Sequence, residues 1–528
     1  MPPIFAFLFI LLPWLNPFSP GPTAQVAPLL FAWACAAGVL LAWVVDRQRG
    51  KSPQMVKAVV LAWAAAALLS AVLGLLQYFG QTAVFGIWVD HTELGQAFGN
   101  LRQRNQFATL LSIGLVAVLW LVANADTAYT NTAAPVGAAQ LRPSLRRAAW
   151  PSARLALALA LAAVVLLAAG NAASSSRTGL LQLVLTLLLT LWWQRKAPKR
   201  TSRPVLIVLL VALATYAVAS FALPLLAGLD PANSGAWARL RAGDPACASR
   251  LTLWGNVLHL IALKPLTGWG WGELIYAHFI TLYPGNRFCD ILDNAHNLPL
   301  HLAVELGLPA ALLLCGLVLW LVWRGQPWRE RHPTRQLAWA VLAVIGLHSL
   351  LEYPLWYGPF QMAAALSVWL LCWVPASGGM ASSYRRFRSV ALYLYGVAAI
   401  ALVAFCSFAC WNYYLASQVY LEVDQRASAY REHTLEKIRD VWLYQGPVRF
   451  AELTITGLTP ANAAHINTLA KEMLHFSPEA RVVELLLNSA LLLGRNDEVT
   501  FYAERYKAAF PKDYARWEQK HHEALAGL

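Results

Sequence analysis

Long apolar runs separated by short polar loops dominate the hydrophobic pattern of this 528-residue chain. A transmembrane α-helix needs about 20 mainly apolar residues. Runs of that kind occur near residues 3–17, 26–45, 56–79, 105–123, 153–170, 178–194, 204–227, 297–323, 336–351, 357–375 and 390–411. The pattern predicts an all-α polytopic membrane protein with about eleven transmembrane helices. The first run lacks a basic flank and a clear cleavage site, so we expect a short first span, not a signal peptide.

Basic residues are concentrated in every second loop between these runs. They cluster near residues 46–57, 142–147, 195–203, 324–335 and 385–388. Because Lys and Arg are enriched in cytoplasmic loops, the N-terminus is expected inside and the other loops and the C-terminal tail outside. In a bacterial inner membrane, outside means the periplasm. The same orientation accounts for the net charge of +14 without nucleic acid, for which the sequence has no motif.

These boundaries divide the chain into four predicted parts. Helices 1–7 occupy residues 1–227, a large periplasmic loop covers 228–295, and helices 8–11 lie within 296–415. Residues 416–528 have ordinary charge and amphipathic patterns typical of soluble helices. They predict a small periplasmic α-helical domain, whose pattern is reminiscent of paired-helix repeats.

The large loop contains an amphipathic helix, RLTLWGNVLHLIAL. Ser249 can cap it, and Leu251, Trp254, Leu258 and Ile261 are expected on one apolar face. Such a helix lies on the bilayer surface or roofs the bundle. The glycines that follow, in KPLTGWGWGEL, lack the strand–turn–helix context of a dinucleotide fingerprint. We expect a tight turn there, with a phosphate-binding nest as the less favoured alternative.

Two of the seven cysteines differ from the rest in their surroundings. Cys247 and Cys289 lie in the polar outside loop, whereas the other five lie in apolar spans. The periplasm is oxidising, so a disulfide between these two is favoured over two free thiols.

The stretch DNAHNLPLHLAVELG places polar residues where the large loop meets the membrane. Asn297 can cap the next helix, with Pro299 in its first turn. Asn297, His301 and Glu305 then share one stripe, which should face protein or water because facing lipid is costly. His296 lies at the mouth, where its near-neutral pKa suits a general base. The alternative is a capping or interface histidine.

Several arginines are expected on the same outer side. Arg177 lies in SSSRTG, Arg250 opens the loop helix, and Arg102 and Arg104 lie in GNLRQRNQF. Each could be an interfacial anchor or a solvated charge. Together, at one mouth with few acids nearby, they suit binding of a diphosphate.

His348 and Glu352 are spaced i, i+4 at the outer end of the ninth run. They can pair, either for function or as a structural salt bridge that closes the helix end. The chain has no Walker A sequence and no metal-ligand spacing. We therefore expect no ATP-driven step and no bound metal.

The sequence resembles bacterial protein O-oligosaccharyltransferases, which are relatives of the O-antigen ligases and polymerases. DNAHNLPLHLAVELG and HSLLEYPLWY carry most of the resemblance. GNLRQRNQF, SSSRTG, SRLTLW and KPLTGWGWG fall in the order that this family shows. The resemblance covers nearly the whole chain, including the tail.

The resemblance implies a substrate class. The donor would be a glycan on a lipid diphosphate of the undecaprenyl type. The acceptor would be a Ser or Thr hydroxyl of a pilin or another periplasmic protein. No metal or nucleotide cofactor is implied.

The resemblance also implies roles for particular residues. His296 would deprotonate the acceptor, and Arg177 and Arg250 would hold the diphosphate. Further matches are the donor-binding candidates Arg102 and Arg104 and the supporting residues Asn297, Glu305, His348 and Glu352.

Two other functions would also fit these residues. A ligase or polymerase would use another glycan as the acceptor. A lipid-linked-glycan transporter would use the same arginines for binding, but should carry ionisable residues near the midplane of several helices. Here only Glu305 lies deeper than the outer mouth, which favours a transferase.

Overall fold

The computed structural model describes residues 2–48, 52–130, 153–195, 199–243, 245–373 and 384–522. Within these ranges the regular elements are α-helices and short 3-10 helices. The basic loop at 142–147 and part of the loop at 46–57 lie outside the described residues.

Every predicted apolar run contains a helix. The helices that lie in these runs are α1 Pro2–Leu15, α2 Val26–Gln48, α3 Ser52–Tyr78, α4 Arg104–Thr130, α5 Ala153–Ser174, α6 Arg177–Gln194, α7 Lys199–Leu226, α11 Leu298–Gly325, α12 Pro333–Ser349, α13 Gly358–Trp373 and α14 Tyr384–Ser417. The large loop contains α8 Gly235–Ala242, α9 Arg250–Leu263 and α10 Leu274–Ile280. The tail contains α15 Thr434–Ile438, α16 Gln445–Ile455, α17 Ala463–Leu474, α18 Ala480–Leu492, α19 Asn496–Ala509 and α20 Pro511–Lys520.

Seven of the described helices are long and apolar enough to cross a membrane: α2, α3, α4, α5, α7, α11 and α14. The remaining apolar helices α1, α6, α12 and α13 are shorter, with 14, 18, 17 and 16 residues. An all-helical protein with several membrane helices is thus confirmed. The count of eleven spans stays a prediction.

The first of two compact units comprises Met1–Ser19, Gln25–Ala242 and Val322–Cys406. Its core brings α3, α4, α5 and α12 together around large side chains such as Trp63 and Phe107. Small residues allow these helices to approach closely, as is usual in membranes. A Cβ at Gly114 would lie 2.2 Å from the Cβ of Ala67.

The second unit comprises Pro20–Ala24, Gly243–Leu321 and Ser407–Leu528. In it the loop helix α9 packs on the start of α11, through a cluster that includes Leu253, Val257, Leu260, Ala303 and Val304. This packing holds the end of the large loop against the helix that follows it.

The predicted bounds and cap of the loop helix are correct, and Trp254 and Ile261 of the predicted apolar face pack in the core of the loop. The hydroxyl of Ser249 accepts a hydrogen bond from the backbone N–H of Thr252, at 3.2 Å. Leu251 is 81% exposed and Leu258 is also exposed, whereas Leu253 and Val257 are buried. The helix is apolar on both sides, so periodicity alone did not identify all of the residues that pack.

The tail helices form a core of their own, which also buries Phe279 of α10. Beside it, the Nδ1 atom of His475 lies 2.6 Å from the Oε2 atom of Glu273. The His475 ring stacks on Tyr276, with centroids 3.7 Å apart. These contacts fasten the tail to the large loop within the second unit.

The helix α11 is interrupted where the GWGWG turn meets it. Gly307 has φ 84° and ψ 162°, outside the helical region. The backbone N–H of Leu308 donates to the carbonyl of Pro265 at 2.8 Å, and that of Trp269 to the carbonyl of Val304 at 2.9 Å. The turn thus supplies partners for backbone groups near the break, which a membrane protein must satisfy internally. The apolar pattern of this run predicted a continuous helix and not this break.

We expect Gly307→Ala to destabilise the protein. A Cβ there would lie 2.2 Å from the carbonyl oxygen of Leu266, and φ 84° strains any other residue. Left-handed strain costs about 1–3 kcal/mol before the clash is counted. Thermal unfolding of the purified protein in detergent measures the change. Gly316→Ala, on the same helix with open space around its Cβ, is the matched control. Equal melting temperatures for the two variants would contradict the expectation.

Candidate functional site

His296 lies in a turn that is held from two sides. Its backbone has φ 48°, a conformation uncommon outside glycine, and its N–H donates to the Oδ1 atom of Asn294 at 2.9 Å. The indole N–H of Trp254, on α9, donates to the carbonyl of Ala295 at 3.1 Å. The Oδ1 atom of Asn297 accepts from the N–H of Leu300 at 3.1 Å, which is the predicted helix cap. Left-handed residues of this kind are concentrated at functional sites.

The predicted polar stripe continues inward from this turn. The Nε2 atom of His301 lies 3.5 Å from the Oε2 atom of Glu305, and both side chains are buried. His296 is half-buried and close enough to His301 and Asp293 for their charges to interact. The turn therefore offers a partly accessible imidazole with a carboxylate near it.

Another histidine of the loop, His278, has a different environment. Its Nδ1 atom pairs with the hydroxyl of Tyr283 at 2.8 Å, inside the loop core. Burial, and then the charge of Arg287, lowers the pKa of His278 to about 3, so the ring is neutral at physiological pH. A base with so low a pKa is weak, and His278 fits a structural role.

Arg177 and Arg250 occupy equivalent positions in two helices. Each is the first residue of its helix, and each follows a serine whose hydroxyl caps that helix. The N-terminus of a helix is its positive end, which disfavours a cation and favours an anion. An anion bound at such an end would be attracted both by the helix and by the arginine. Arg177 belongs to the first unit, and Arg250 and His296 belong to the second.

A further arginine, Arg239 on α8, lies beside Arg177 in the first unit. The Nη2 atom of Arg177 donates to the carbonyl of Arg239 at 2.8 Å. The side-chain charge of Arg239 is also close enough to interact with that of Arg104. Arg239 was not among the predicted site residues, although it lies in the basic helix sequence GAWARLRA of the large loop. Only the fold brings it to Arg104 and Arg177.

Arg102 and Arg104 have different surroundings despite their proximity in sequence. The Nε atom of Arg102 lies 3.0 Å from the Oδ2 atom of Asp90, and its Nη2 atom donates to the carbonyl of Pro17. Arg104 lies over the Phe98 ring, 5.5 Å from its centroid. The contacts of Arg102 favour a link between segments of the first unit over donor binding.

His348 and Glu352 have separate partners. The Nδ1 atom of His348 lies 2.9 Å from the Oγ1 atom of Thr109. The carboxylate of Glu352 accepts from the side-chain amides of Asn105 at 3.2 Å and Gln103 at 3.3 Å. Both belong to a polar network inside the first unit, a setting that sequence spacing did not indicate.

Cys247 and Cys289 form a disulfide in the structure, with Cα atoms 5.3 Å apart. The backbone N–H of Cys289 also donates to the carbonyl of Cys247, at 3.3 Å. The link closes a segment that begins just before Arg250 and ends shortly before His296. It therefore limits how far those two residues can separate.

Three family models match separate stretches of this chain. The model described as "O-Antigen ligase" matches residues 162–315, which include Arg177, Arg250 and His296. The model described as "Virulence factor membrane-bound polymerase, C-terminal" matches residues 336–524. The model described as "Protein glycosylation ligase" matches residues 97–122. The resemblance to O-antigen ligase-like oligosaccharyltransferases is confirmed.

A relative with a similar sequence also indicates an oligosaccharyltransferase. A "General O-oligosaccharyltransferase" of Acinetobacter baylyi (strain ATCC 33305 / BD413 / ADP1) is 28% identical to this chain over 123 residues. The match covers 23% of this chain and 21% of the relative. The chain is thus similar, over about a fifth of the relative's length, to a protein that transfers oligosaccharides.

Proposed function

We propose that this protein transfers a glycan en bloc from a lipid-diphosphate donor of the undecaprenyl type to Ser or Thr hydroxyls of periplasmic proteins, such as a pilin. The site would face the periplasm from a bacterial inner membrane. The observation that carries the proposal is the placement of Arg177 and Arg250 at capped, positive helix ends, within a stretch similar to O-antigen ligases. His296 follows in the same stretch.

The proposed reaction is a single displacement. The acceptor hydroxyl loses its proton to the imidazole of His296, and its oxygen forms a bond to the anomeric carbon. The bond between that carbon and the phosphate oxygen breaks, and the lipid diphosphate leaves with the electron pair. The carboxylate of Asp293, near His296, would stabilise the imidazolium that forms.

Arginines are suited to the leaving group. A diphosphate that departs gains negative charge, which preorganised guanidinium groups stabilise. Arg177 and Arg250 are proposed to hold the diphosphate, and Arg104 and Arg239 to add positive charge beside Arg177. We propose that Arg102, Asn297, Glu305, His348 and Glu352 support the site without contacting the reacting atoms.

The proposed orientation has the N-terminus inside, eleven spans, and both the large loop and the tail in the periplasm. We expect cysteines introduced at the exposed residues Asn233 and Lys512 to react with an impermeant maleimide in intact spheroplasts. A cysteine at the exposed residue Arg331 should react only after lysis. The parent, with its native cysteines, measures the background. Protection of either outer site until lysis would refute this topology.

A second candidate is a ligase or polymerase that acts on a glycan acceptor. The matches to an O-antigen ligase and to a membrane-bound polymerase favour it. Purified protein with lipid-linked glycan should be offered a pilin, a lipid A–core acceptor or a second lipid-linked glycan. Glycosylated pilin supports the main proposal, and transfer only to a glycan supports the second candidate. Movement of donor across vesicles without transfer would support a transporter instead.

A further inference from the structure

The turn that carries Arg177 is buried and has an unusual backbone. Ser175 has φ 51°, and the side chains of Ser174, Ser175 and Ser176 are all buried. The hydroxyl of Ser176 accepts from the backbone N–H of Gly179 at 3.0 Å and donates to the Oδ1 atom of Asn105 at 2.6 Å. The first turn of α6 is therefore fastened to α4 by a side-chain hydrogen bond.

Asn105 links this turn to a buried carboxylate. Its Nδ2 atom donates to the Oε1 atom of Glu352 at 3.2 Å, while the Nε2 atom of Gln103 donates to the Oε2 atom at 3.3 Å. An ionised carboxylate only accepts hydrogen bonds, and an amide presents one donor side and one acceptor side. The side-chain oxygen of Asn105 thus accepts a hydrogen bond from Ser176, and its side-chain nitrogen donates one to Glu352.

We propose that Asn105 is a positioning residue, which holds the first turn of α6 through Ser176 and so fixes the direction of Arg177. The proposal rests on the proposed role of Arg177 in binding the diphosphate. A guanidinium on a mobile turn would bind the donor less tightly, because the turn and the side chain would lose conformational freedom on binding.

Moving the negative charge from residue 352 to residue 105 tests the link between Asn105 and Glu352. Asn105→Asp keeps an acceptor for Ser176 but places a second carboxylate against the buried Glu352, where the two like charges repel. In the double variant Asn105→Asp/Glu352→Gln, the new amide can donate to the new carboxylate and still accept from Gln103. The hydrogen bond between residues 105 and 352 is then kept with its direction reversed, and the negative charge moves from residue 352 to residue 105.

Two measurements are made on each purified variant. Hydrogen exchange of the segment 174–180 reports how firmly the turn is held, independently of transfer. We expect Asn105→Asp to speed that exchange and to raise the KM for lipid-linked donor about tenfold or more, with a smaller change in kcat. The double variant should return both values to within about threefold of the parent. Asn124→Asp, at the far end of α4, is the matched control and should match the parent.

The outcomes separate the positioning role from the function on which it rests. If the double variant exchanges as fast as Asn105→Asp, the two residues are not linked and the positioning role is wrong. If exchange responds as expected but Arg177→Ala changes neither the kcat nor the KM for donor, the link stands and the donor site is wrong. Rescue of exchange and KM together would support both.

Discussion

His296→Asn is expected to abolish detectable glycan transfer while leaving membrane abundance and donor binding close to the parent. A positioned general base contributes about a hundredfold to ten-thousandfold. Asparagine is the substitution of choice because it adopts the left-handed conformation that His296 has, with φ 48°. The loss can then be assigned to the imidazole and not to backbone strain.

The chain offers a matched control for this variant. His433, in the tail, is exposed and has φ 51°. His433→Asn makes the same chemical change in the same backbone conformation and should transfer glycan normally. Near-parent transfer by His296→Asn would exclude the role of base. A parallel loss of abundance and donor binding would indicate a structural residue that holds the turn between Asn294 and Asn297.

Arg177→Lys and Arg250→Lys are expected to lose activity although each keeps its charge. A guanidinium can hold two diphosphate oxygens at once, and an ammonium cannot. We expect kcat/KM to fall on the order of a hundredfold for either variant. This is the smaller of the losses seen when one hydrogen-bond donor to a developing anion is removed. Transfer assays at several concentrations of lipid-linked donor give this value.

Arg195→Lys, at the opposite end of α6, is the control for Arg177→Lys. Arg195 lies over the Trp192 ring, 4.9 Å from its centroid, and is far along the helix from the proposed site. It should keep activity close to that of the parent. If Arg177→Lys also does so, Arg177 is an interfacial anchor. If kcat falls and KM does not, the arginine acts mainly on the leaving group in the transition state.

Local sequence was sufficient for the helices and for the position of the main candidates. Continuous apolar runs require helices in a membrane, since every backbone group must be satisfied within the segment. Ser249 and Asn297 were recognised as caps because capping depends only on a few neighbouring residues. For the same reason His296 could be placed at the loop end, and the residues that carry the family resemblance could be read directly.

The contacts between distant segments were decided only by the tertiary structure. Periodicity did not identify all of the buried residues of α9, because both of its sides are apolar. The break at Gly307 depends on the approach of Leu266, and Arg239 reaches Arg177 only through the packing of α8. Asn105, Ser176 and Glu352 are widely separated in sequence, and no local pattern records that their donors and acceptors match. Side-chain chemistry made Arg177 and Glu352 candidates, and packing determined which residues they contact.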